Sequence, residues 1–556
     1  MNFADSFVRF LADQYHVTDA FGIPGGVILR FLEALDKNQN IKAHLLYHES
    51  SAGFAACGYA QASGNLSLAY ATRGPGIMNM MTCIAEAYQE SLSVLFVTSH
   101  THSNSRSIRV EYDQELDVVE AVKGFTKYAA KIETVADAYE VIEKACCLAV
   151  SGRKGPVLLD ILSTLWNQEI EQEKWVHCAE NNLEEENRDT VVDTLVEALG
   201  KAERPILLIG DGIRQGNVKD KCNEFALTLG IPVLSSRGAQ GICKTDNYFG
   251  YIGSHGLRYS NFILAKADLM IVIGNRLAFP KNSRSFRPII DCAKVIRIDI
   301  DCNEFEKELS TVSNFCLDAG VFFKLMEGKR INRDFSLWLD LCKEIKKTLK
   351  NHDISAPISS LIDLLSAQKK GSYVCDVGNN EFWVSRAYEY VRPQADVFYS
   401  KAFGALGQSI GKAIGIYYAT QEPVIVMIGD QGFQYGMQDM QYIKQWKLPV
   451  SIVVINNNCS GMIRDQEDKM QMVKYIHVTE ETEYQSMEIK KASEFFGFGY
   501  HRIEEKFSFK EINGPELIEL VVDRDVSLTP FLPMNRQCCD MEPALSRKLF
   551  DYLYEL

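Results

Sequence analysis

Two short apolar runs in the last third of the chain constrain its fold and chemistry more than any other feature. Residues 424–428 read VIVMI and are followed by a glycine and Asp430, and residues 450–455 read VSIVVI and are followed by an asparagine pair ending at Asn457. Such runs are typical of buried parallel strands, and the residues between them are numerous enough to form a helix. Because neighbouring parallel strands end at the same edge of a sheet, we expect the oxygens of Asp430 and Asn457 to meet in one crevice.

These two side chains are of the kind that hold a magnesium ion on a phosphate. Mg²⁺ prefers hard oxygen ligands, and it usually binds a few protein oxygens together with phosphate oxygens. A lone glycine-aspartate turn is also typical of an ordinary strand end with a side-chain cap. Asn457 follows Asp430 by 27 positions (457 − 430), and this paired asparagine favours the metal site over that alternative.

The charge and the lack of long apolar stretches narrow the class of partner. The chain of 556 residues carries a formal net charge of −14, which argues against nucleic acid as the main partner. No apolar stretch approaches the ~20 residues of a membrane span, so we expect no membrane segment. An anionic cofactor would therefore be held by a metal ion, helix N-termini and backbone amides rather than by a basic surface.

The cysteines and the N-terminus indicate a cytoplasmic protein. The 15 cysteines form no pattern typical of a zinc site, and scattered cysteines in a large chain are expected to be reduced in the cytosol. The first residues, MNFADSFVRFLADQYHV, lack a basic segment followed by a long apolar run. We interpret them as an amphipathic helix of the mature protein rather than as a targeting peptide.

Alternating apolar strands and helical stretches divide the chain into three blocks and predict an α/β fold. We expect three doubly wound parallel-sheet domains, over residues 1–170, 188–330 and 355–535. Two stretches rich in charged or polar residues, 167–187 and 328–355, are interpreted as linkers. The first and third domains are candidates for similarly built halves of one site.

Glu49 lies in the first block, where a predicted strand over residues 43–47 gives way to a helix. Residues 50–58 of that helix are mostly Ser, Ala and Gly, which lets another backbone approach closely. A carboxylate at a helix start is often only a cap. In an apolar pocket, a carboxylate can instead share a proton with a bound molecule. The residues alone leave both interpretations open, and the resemblance described next makes Glu49 the candidate catalytic residue.

Five segments of the chain share their patterns with one enzyme family. They are GIPGG (22–26), YHES (47–50), ATRGPGIMN (71–79), SKAFGALGQSIGKAIG (400–415) and GDQ followed by NNN (429–458). Together they resemble the thiamine-diphosphate-dependent enzymes, and most of all the large catalytic subunit of acetolactate synthase (acetohydroxyacid synthase). The family's GDG…NN motif differs here at Gln431, whose side chain must point away from the diphosphate or hydrogen-bond to it.

The resemblance implies thiamine diphosphate and Mg²⁺ as cofactors. In the family, the residues equivalent to Asp430, Asn457 and the backbone carbonyl of Cys459 hold the metal ion. The residue equivalent to Glu49 hydrogen-bonds to the cofactor's pyrimidine ring. The carbonyl of Gly404 would accept a hydrogen bond from the 4′-amino group, and Leu406 would be an apolar wedge beneath the cofactor. The other positions implied to contact the cofactor are Pro24, Gly25, Pro75, Asn79, Gly429, Gln431, Gly432, Gly461 and Met462.

The same resemblance implies sites for a flavin and for the substrates. Family members of this type hold FAD in the middle domain, whereas related enzymes leave that domain empty or fill it with other nucleotides. The candidate FAD contacts are Gly210, Arg276 and Asp299. The candidate substrate contacts are Gln114, Lys127 and Gln466.

Three departures from the family concern the acceptor substrate. Pro280 stands where the family has an arginine that grips the acceptor's carboxylate, Asp113 replaces an aromatic residue, and Gln466 replaces an acceptor-selecting tryptophan. Losing a bidentate carboxylate clamp should cost about 2–5 kcal/mol of acceptor binding. Lys281 and Arg284 are the alternatives that would restore a cation. We expect a different acceptor, such as an uncharged aldehyde or ketone, or a keto-sugar nucleotide.

The expected reaction is decarboxylation of a 2-oxoacid, pyruvate in the family, followed by ligation of the product to the acceptor. A 2-oxoacid decarboxylase without ligation and a catalytically silent nucleotide-binding homologue are the alternatives. Related enzymes place the cofactor between the first block of one subunit and the third block of another. The resemblance therefore implies a homodimer or a homotetramer.

Overall fold

Three parallel sheets make up the fold. The computed structural model describes residues 1–101, 113–170, 175, 188–278, 293–305, 312–329, 331, 333–504, 512 and 514–556. In this part of the chain, the strands form three six-stranded sheets in which neighbouring strands run parallel. Helices cover the sheets, which confirms the predicted α/β fold. None of the described helices is both long enough and apolar enough to cross a membrane.

The first domain has the strand order β2-β1-β3-β4-β6-β5. Its strands are β1 (Asp19–Gly22), β2 (Lys42–Leu45), β3 (Ser67–Tyr70), β4 (Val94–His100), β5 (Tyr128–Ile132) and β6 (Val157–Leu162). Its helices are α1 (Phe3–Tyr15), α2 (Leu29–Lys37), α3 (Glu49–Ser63), α4 (Pro75–Met78), α5 (Met81–Glu90), α6 (Val118–Val122) and α7 (Val135–Val150). Both faces of β4 are buried, with Phe96 in one apolar core and Val97 in the other, which explains why the strand shows no polar alternation.

The central domain has the strand order β12-β11-β10-β7-β8-β9. Its strands are β7 (Pro205–Ile209), β8 (Val233–Ser235), β9 (Tyr248–Tyr251), β10 (Leu269–Ile273), β11 (Lys294–Asp299) and β12 (Val312–Cys316). Its helices are α8 (Arg188–Lys201), α9 (Gly212–Gln215), α10 (Lys219–Leu229), α11 (Arg258–Ala265), α12 (Ala319–Met326) and α13 (Ser336–Leu349). The order reverses between β7 and β10, and a crevice at such a reversal is the usual ligand site of doubly wound sheets.

The third domain repeats the topology of the first, with the order β14-β13-β15-β16-β18-β17. Its strands are β13 (Ser372–Cys375), β14 (Asp396–Tyr399), β15 (Val424–Gly429), β16 (Val450–Asn456), β17 (Gly499–Ile503) and β18 (Glu516–Val521). Its helices are α14 (Ala356–Ala367), α15 (Asn379–Val391), α16 (Ser409–Thr420), α17 (Asp430–Gly436), α18 (Met440–Trp446), α19 (Gly461–Lys469) and α20 (Ile489–Phe496). A 3₁₀ turn, Met437–Asp439, divides the predicted helix between β15 and β16 into α17 and α18.

Two segments outside the predicted domains pack against the central domain. Helix α13 lies within the stretch predicted to be a linker, and its Trp338 Nε1 donates to the carbonyl oxygen of Pro205 at 3.0 Å. The C-terminal residues return to the same place, where Cys538 and Leu553 join the apolar cluster around Trp338. Leu553 belongs to the last helix, α21 (Arg547–Glu555). The linker prediction is therefore wrong for α13, because one face of this charged helix is apolar and buried.

Helices α3 and α16 join the first and third domains at backbone contact distance. A Cβ on Gly58 would lie 2.2 Å from the carbonyl oxygen of Lys412, and a Cβ on Gly415 would lie 1.8 Å from that of Ala55. The small residues that the sequence places in these helices are therefore what allows the two domains to meet.

One expectation about the cysteines is not met. A disulfide joins Cys302, which follows β11, to Cys316 at the end of β12, so these two thiols are not reduced in this structure. The free cysteines among the described residues are buried, and they include Cys459 of the predicted metal site.

Candidate active site

The ends of β15 and β16 bring three predicted metal ligands together. The strands are neighbours, with Gly429 opposite Ile455. One terminal atom of the Asn457 amide lies 2.8 Å from the carbonyl oxygen of Cys459 and 3.2 Å from Asp430 Oδ1. The side chains of Asp430 and Asn457 are both buried. The strand–helix–strand unit thus forms the crevice that the sequence predicts.

The spacing of these atoms fits a divalent cation. With the amide oxygen facing Asp430 and Cys459, three oxygens converge without a proton between them. Adjacent ligands of an octahedral Mg²⁺ with ~2.1 Å bonds lie about 3.0 Å apart. The separations of 2.8 Å and 3.2 Å from the Asn457 amide atom to the two other oxygens are close to this value. Turned over, the amide would instead donate its N–H groups to both oxygens. The described residues contain no cluster of three or more His, Cys, Asp or Glu side chains that could hold a metal ion.

A tyrosine that the sequence analysis missed supports the predicted metal ligand. The hydroxyl of Tyr484 donates to Asp430 Oδ2 at 2.7 Å. Burial raises the pKa of Asp430 to about 6, and the hydrogen bond from Tyr484 opposes this rise. A bound cation would stabilise the same carboxylate, because an adjacent positive charge favours the ionised form. Nothing in the sequence indicates this contact, which joins residues 54 positions apart.

A second aspartate, Asp376, holds the loop that carries Leu406. Its two oxygens accept hydrogen bonds from the backbone N–H groups of Gly407 at 2.8 Å and Ser409 at 3.0 Å. A Cβ on Gly432 would lie 2.8 Å from Asp376 Oδ1 and 3.3 Å from Leu406 Cδ1, so only glycine fits between them. Asp376 directly follows β13, and this strand ending in a carboxylate was the signal that the sequence offered.

The departure at Gln431 has a local partner. The hydroxyl of Ser460 donates to Gln431 Oε1 at 3.0 Å, so this side chain bonds to the segment that carries Cys459. In that segment, Gly461 begins α19 beside the Asn457 amide, and Met462 follows it in the first turn. The candidate residues after Asn457 therefore line the same edge of the sheet as Asp430.

The first domain contributes a second group of candidate residues. Asn79 Nδ2 donates to Glu49 Oε2 at 2.9 Å. The loop from Thr72 to Asn79, which includes Pro75, packs on both neighbours: a Cβ on Gly76 would lie 3.5 Å from Glu49 Oε1, and one on Gly25 would lie 2.3 Å from Thr72 Cβ. Gly25 thus meets this segment at the carboxyl ends of β1 and β3, and Pro24 directly precedes it in the chain. Glu49 is the first residue of α3, as predicted, and it is partly exposed.

The candidate substrate residues do not form one cluster. Lys127 Nζ donates to the carbonyl oxygens of Leu148, Ser151 and Arg153, which uses all three protons of its ammonium group. Its place in the structure is therefore a cap at the end of α7. Gln114 and Gln466 are exposed, and so is Asp113. Pro280, Lys281 and Arg284 lie outside the described residues.

The candidate flavin residues surround one large cavity. Gly210, Arg276 and Asp299 line a space of about 1120 Å³ at the carboxyl ends of the central strands. The cavity includes the crevice between β7 and β10, where the strand order reverses. Asp299 is buried at the end of β11, and burial raises its pKa. A crevice in this position is the usual ligand site of a doubly wound sheet.

Known proteins match the chain along most of its length. The description "Thiamine pyrophosphate enzyme, N-terminal TPP binding domain" matches residues 1–121. The central-domain and C-terminal TPP-binding-domain descriptions of the same family match residues 192–324 and 376–514. The three matches follow the order of the three sheets. The N-terminal match covers Glu49 and Asn79, and the C-terminal match covers Asp430 and Asn457.

Curated relatives carry one enzyme name. Acetolactate synthase 1, chloroplastic, of Oryza sativa subsp. japonica is 27% identical over 573 residues, covering 97% of this chain and 87% of the relative. Acetolactate synthase, chloroplastic, of Arabidopsis thaliana is 27% identical over 95% of this chain and 82% of the relative. Acetolactate synthase 3, chloroplastic, of Brassica napus is 28% identical over 85% and 74%.

The three family descriptions match the chain in the order of its three sheets, and the crevice at Asp430 and Asn457 has the spacing of a cation site. The chain therefore belongs to the thiamine pyrophosphate enzyme family, and it is similar to acetolactate synthases.

Proposed function

We propose that the protein uses thiamine diphosphate and Mg²⁺ to decarboxylate a 2-oxoacid, most simply pyruvate, and to join the product to an acceptor. The observation that carries this proposal is the convergence of Asp430, Asn457 and the Cys459 carbonyl at two adjacent strand ends. The similarity to acetolactate synthases supports the ligation step.

Each group of residues has a separate task in this proposal. When bound, the cofactor supplies a carbon nucleophile and accepts the electron pair released with CO₂. Asp430, Asn457 and the Cys459 carbonyl hold Mg²⁺ and, through it, the diphosphate. Leu406 fills the space beneath the cofactor, where its apolar side chain excludes water.

Glu49 is the proposed proton-holding group. Asn79 fixes one oxygen of the carboxylate by donating to Oε2 at 2.9 Å. With the cofactor bound, the carboxylate would hold a proton against the pyrimidine N1′.

The acceptor is proposed to bind without a carboxylate clamp. Pro280 replaces the family's arginine that grips the acceptor's carboxylate. Lys127 Nζ donates all three of its protons to backbone carbonyl oxygens. An aldehyde, a ketone or a keto-sugar nucleotide therefore fits this chain better than a second 2-oxoacid.

The central cavity is the proposed flavin site. Its volume, its position at the reversal of strand order and the lining residues Gly210, Arg276 and Asp299 support FAD. A yellow purified protein that releases FAD on denaturation is the expected result.

Self-association is proposed because apolar side chains beside the candidate residues are exposed in the single chain. Met78 is 40% exposed beside Asn79, Phe403 is 41% exposed beside Gly404, and Tyr435 is 61% exposed in α17. Large apolar side chains grouped around a site are typical of a surface that a second subunit covers. We expect a homodimer or a homotetramer in light scattering.

The test is a product analysis with ¹³C-labelled pyruvate. The labelled pyruvate is supplied alone, with an excess of unlabelled pyruvate as the acceptor, or with an aldehyde or a keto-sugar nucleotide as the acceptor. We expect labelled CO₂ and a ligated product that depends on the added acceptor. Rapid acetolactate formation from pyruvate alone would contradict the proposed acceptor class. Acetaldehyde as the sole product would favour the non-ligating decarboxylase.

The Glu49→Gln variant tests the catalytic assignment separately. It keeps the hydrogen bond from Asn79 but cannot share a proton with the ring, so turnover should fall by at least about a hundredfold while cofactor binding persists. An unchanged rate would reject the role of Glu49. A wild-type protein that binds the cofactor but turns over none of these substrates would favour the silent homologue.

A further inference from the structure

A buried ion cluster joins all three domains beside the central cavity. Lys401 Nζ lies 2.5 Å from Asp211 Oδ2 and 3.2 Å from Glu90 Oε2. Asp211 lies between β7 and α9 of the central domain, Glu90 ends α5 of the first domain, and Lys401 lies between β14 and α16 of the third. All three residues line the cavity that we propose for FAD.

The same cluster holds the backbone segment 400–406, which we call the cofactor loop because it carries Gly404 and Leu406. The N–H of Ala402 donates to Glu90 Oε1 at 2.5 Å. The hydroxyl of Ser400 donates to Glu86 Oε2 at 2.9 Å and accepts the N–H of Gly404 at 2.8 Å. Carboxylates of α5 therefore hold the loop from one side, and the Lys401 side chain ties it to the cavity wall.

Burial makes the cluster sensitive to what fills the cavity. The side chain of Glu90 is 0% exposed and that of Lys401 is 17% exposed. Attraction between opposite charges strengthens as water is removed from around them. A ligand that covers Lys401 would therefore tighten its pairs with Asp211 and Glu90 and reduce the motion of the cofactor loop. The entropy cost of ordering that loop would then be smaller when thiamine diphosphate binds.

We propose that the Glu90–Lys401–Asp211 cluster couples the central cavity to the cofactor loop, so that a dinucleotide in the cavity and thiamine diphosphate strengthen each other's binding. The inference rests on the proposed function, because it takes the loop to be part of the thiamine diphosphate site. Lys401 acts here as a positioning residue and not as a catalytic one.

The test is calorimetric titration of the flavin-free full chain with thiamine diphosphate in saturating MgCl₂, with and without saturating FAD. We expect FAD to lower the Kd for thiamine diphosphate by at least about fivefold, the lower end of typical coupling between sites. Titration with FAD, with and without thiamine diphosphate, should give the same factor, because coupling between binding sites is reciprocal.

Lys401→Met should reduce this factor to about one while each ligand still binds alone. Asp211 keeps Arg214 as a partner at 3.2 Å, and Glu90 Oε1 keeps the N–H of Ala402, so each carboxylate retains one partner. The matched control is Lys219→Met, which removes another lysine–aspartate pair between the central and third domains, with Asp396 at 2.8 Å, away from the cavity lining. It should keep the full coupling. Lys401→Gln serves as a second variant if the first does not fold.

Three results would overturn the inference while leaving the proposed thiamine-diphosphate-dependent reaction intact, and the last of them would also remove the proposed flavin site. They are an equal Kd for thiamine diphosphate with and without FAD, full coupling in the Lys401 variants, and a wild-type chain that binds thiamine diphosphate but not FAD. Failure of the wild-type chain to bind thiamine diphosphate at all would instead remove the proposed function, and the inference with it.

Discussion

The close contact between α3 and α16 predicts that a glycine-to-alanine substitution in α16 lowers stability, whereas the same substitution in α8 does not. A Cβ on Gly415 would lie 1.8 Å from the carbonyl oxygen of Ala55, whereas ordinary contact begins at 3.4 Å, so Gly415→Ala must separate the two backbones by up to 1.6 Å (3.4 − 1.8). Neither the oxygen nor the new methyl group can rotate away, because both are attached directly to helix backbones. Gly200→Ala, near the end of α8, meets no atom within 4 Å.

The expected free energies follow from these distances. Alanine gains about 1 kcal/mol over glycine inside a helix. A methyl group forced into a packed interface costs about 3 kcal/mol, the upper end of the usual range, because the helices must shift as units. Gly415→Ala should therefore lose about 2 kcal/mol of stability, whereas Gly200→Ala should gain up to about 1 kcal/mol.

The assay compares thermal unfolding of the two variants with the wild-type chain. Gly415→Ala should lower the apparent Tm by about 4 °C or more, and Gly200→Ala should leave it unchanged or raise it. Because α3 begins at Glu49 and α16 follows the cofactor loop, Gly415→Ala should also weaken thiamine diphosphate binding. A Gly415→Ala protein as stable as the Gly200→Ala protein would refute the close approach of the two helices.

Three further substitutions test the site and its surroundings. Tyr484→Phe removes the 2.7 Å hydrogen bond to Asp430 and should weaken Mg²⁺-dependent cofactor binding about tenfold, measured by titration at fixed Mg²⁺. Gly432→Ala brings a methyl group to 2.8 Å from Asp376 Oδ1. It should weaken cofactor binding clearly while lowering Tm only slightly. Burial raises the pKa of Asp439 from 3.8 to about 7, so this residue binds its proton more tightly in the folded state and its contribution to stability falls as pH rises through that window. Asp439→Asn should therefore gain roughly 3–4 kcal/mol relative to wild type between pH 4 and pH 8 in denaturant unfolding; an equal pH dependence of both proteins would contradict the assigned pKa.

Much of the fold follows from local patterns. The apolar runs before Asp430 and Asn457 become adjacent parallel strands, and the small residues after Glu49 become a helix in backbone contact with another domain. Patterns of this kind are decided within a few residues, because burial on both faces requires continuous apolar strands and close packing requires glycine.

Contacts between distant segments could be predicted least well from the sequence. Tyr484 contacts Asp430 across 54 positions, and nothing next to Tyr484 in the sequence marks that role. Asp376 also acts on residues far along the chain, and its place directly after β13 was the one local signal. Lys127 matched a substrate contact by motif, yet its ammonium group lies among the carbonyl oxygens that follow α7. The stretch that contains α13 was predicted to be a helical linker because it is charged, and its packing partner at Pro205 lies far away in sequence.

The most direct test of the account is equilibrium binding of thiamine diphosphate to protein stripped of metal ions with a chelator. We expect no binding without a divalent cation and stoichiometric binding after Mg²⁺ is added. In Asp430→Ala, we expect this binding to be lost while the fold is preserved. Binding that is indifferent to Mg²⁺, or that survives in Asp430→Ala with unchanged affinity, would contradict the claim that Asp430, Asn457 and the Cys459 carbonyl anchor the cofactor.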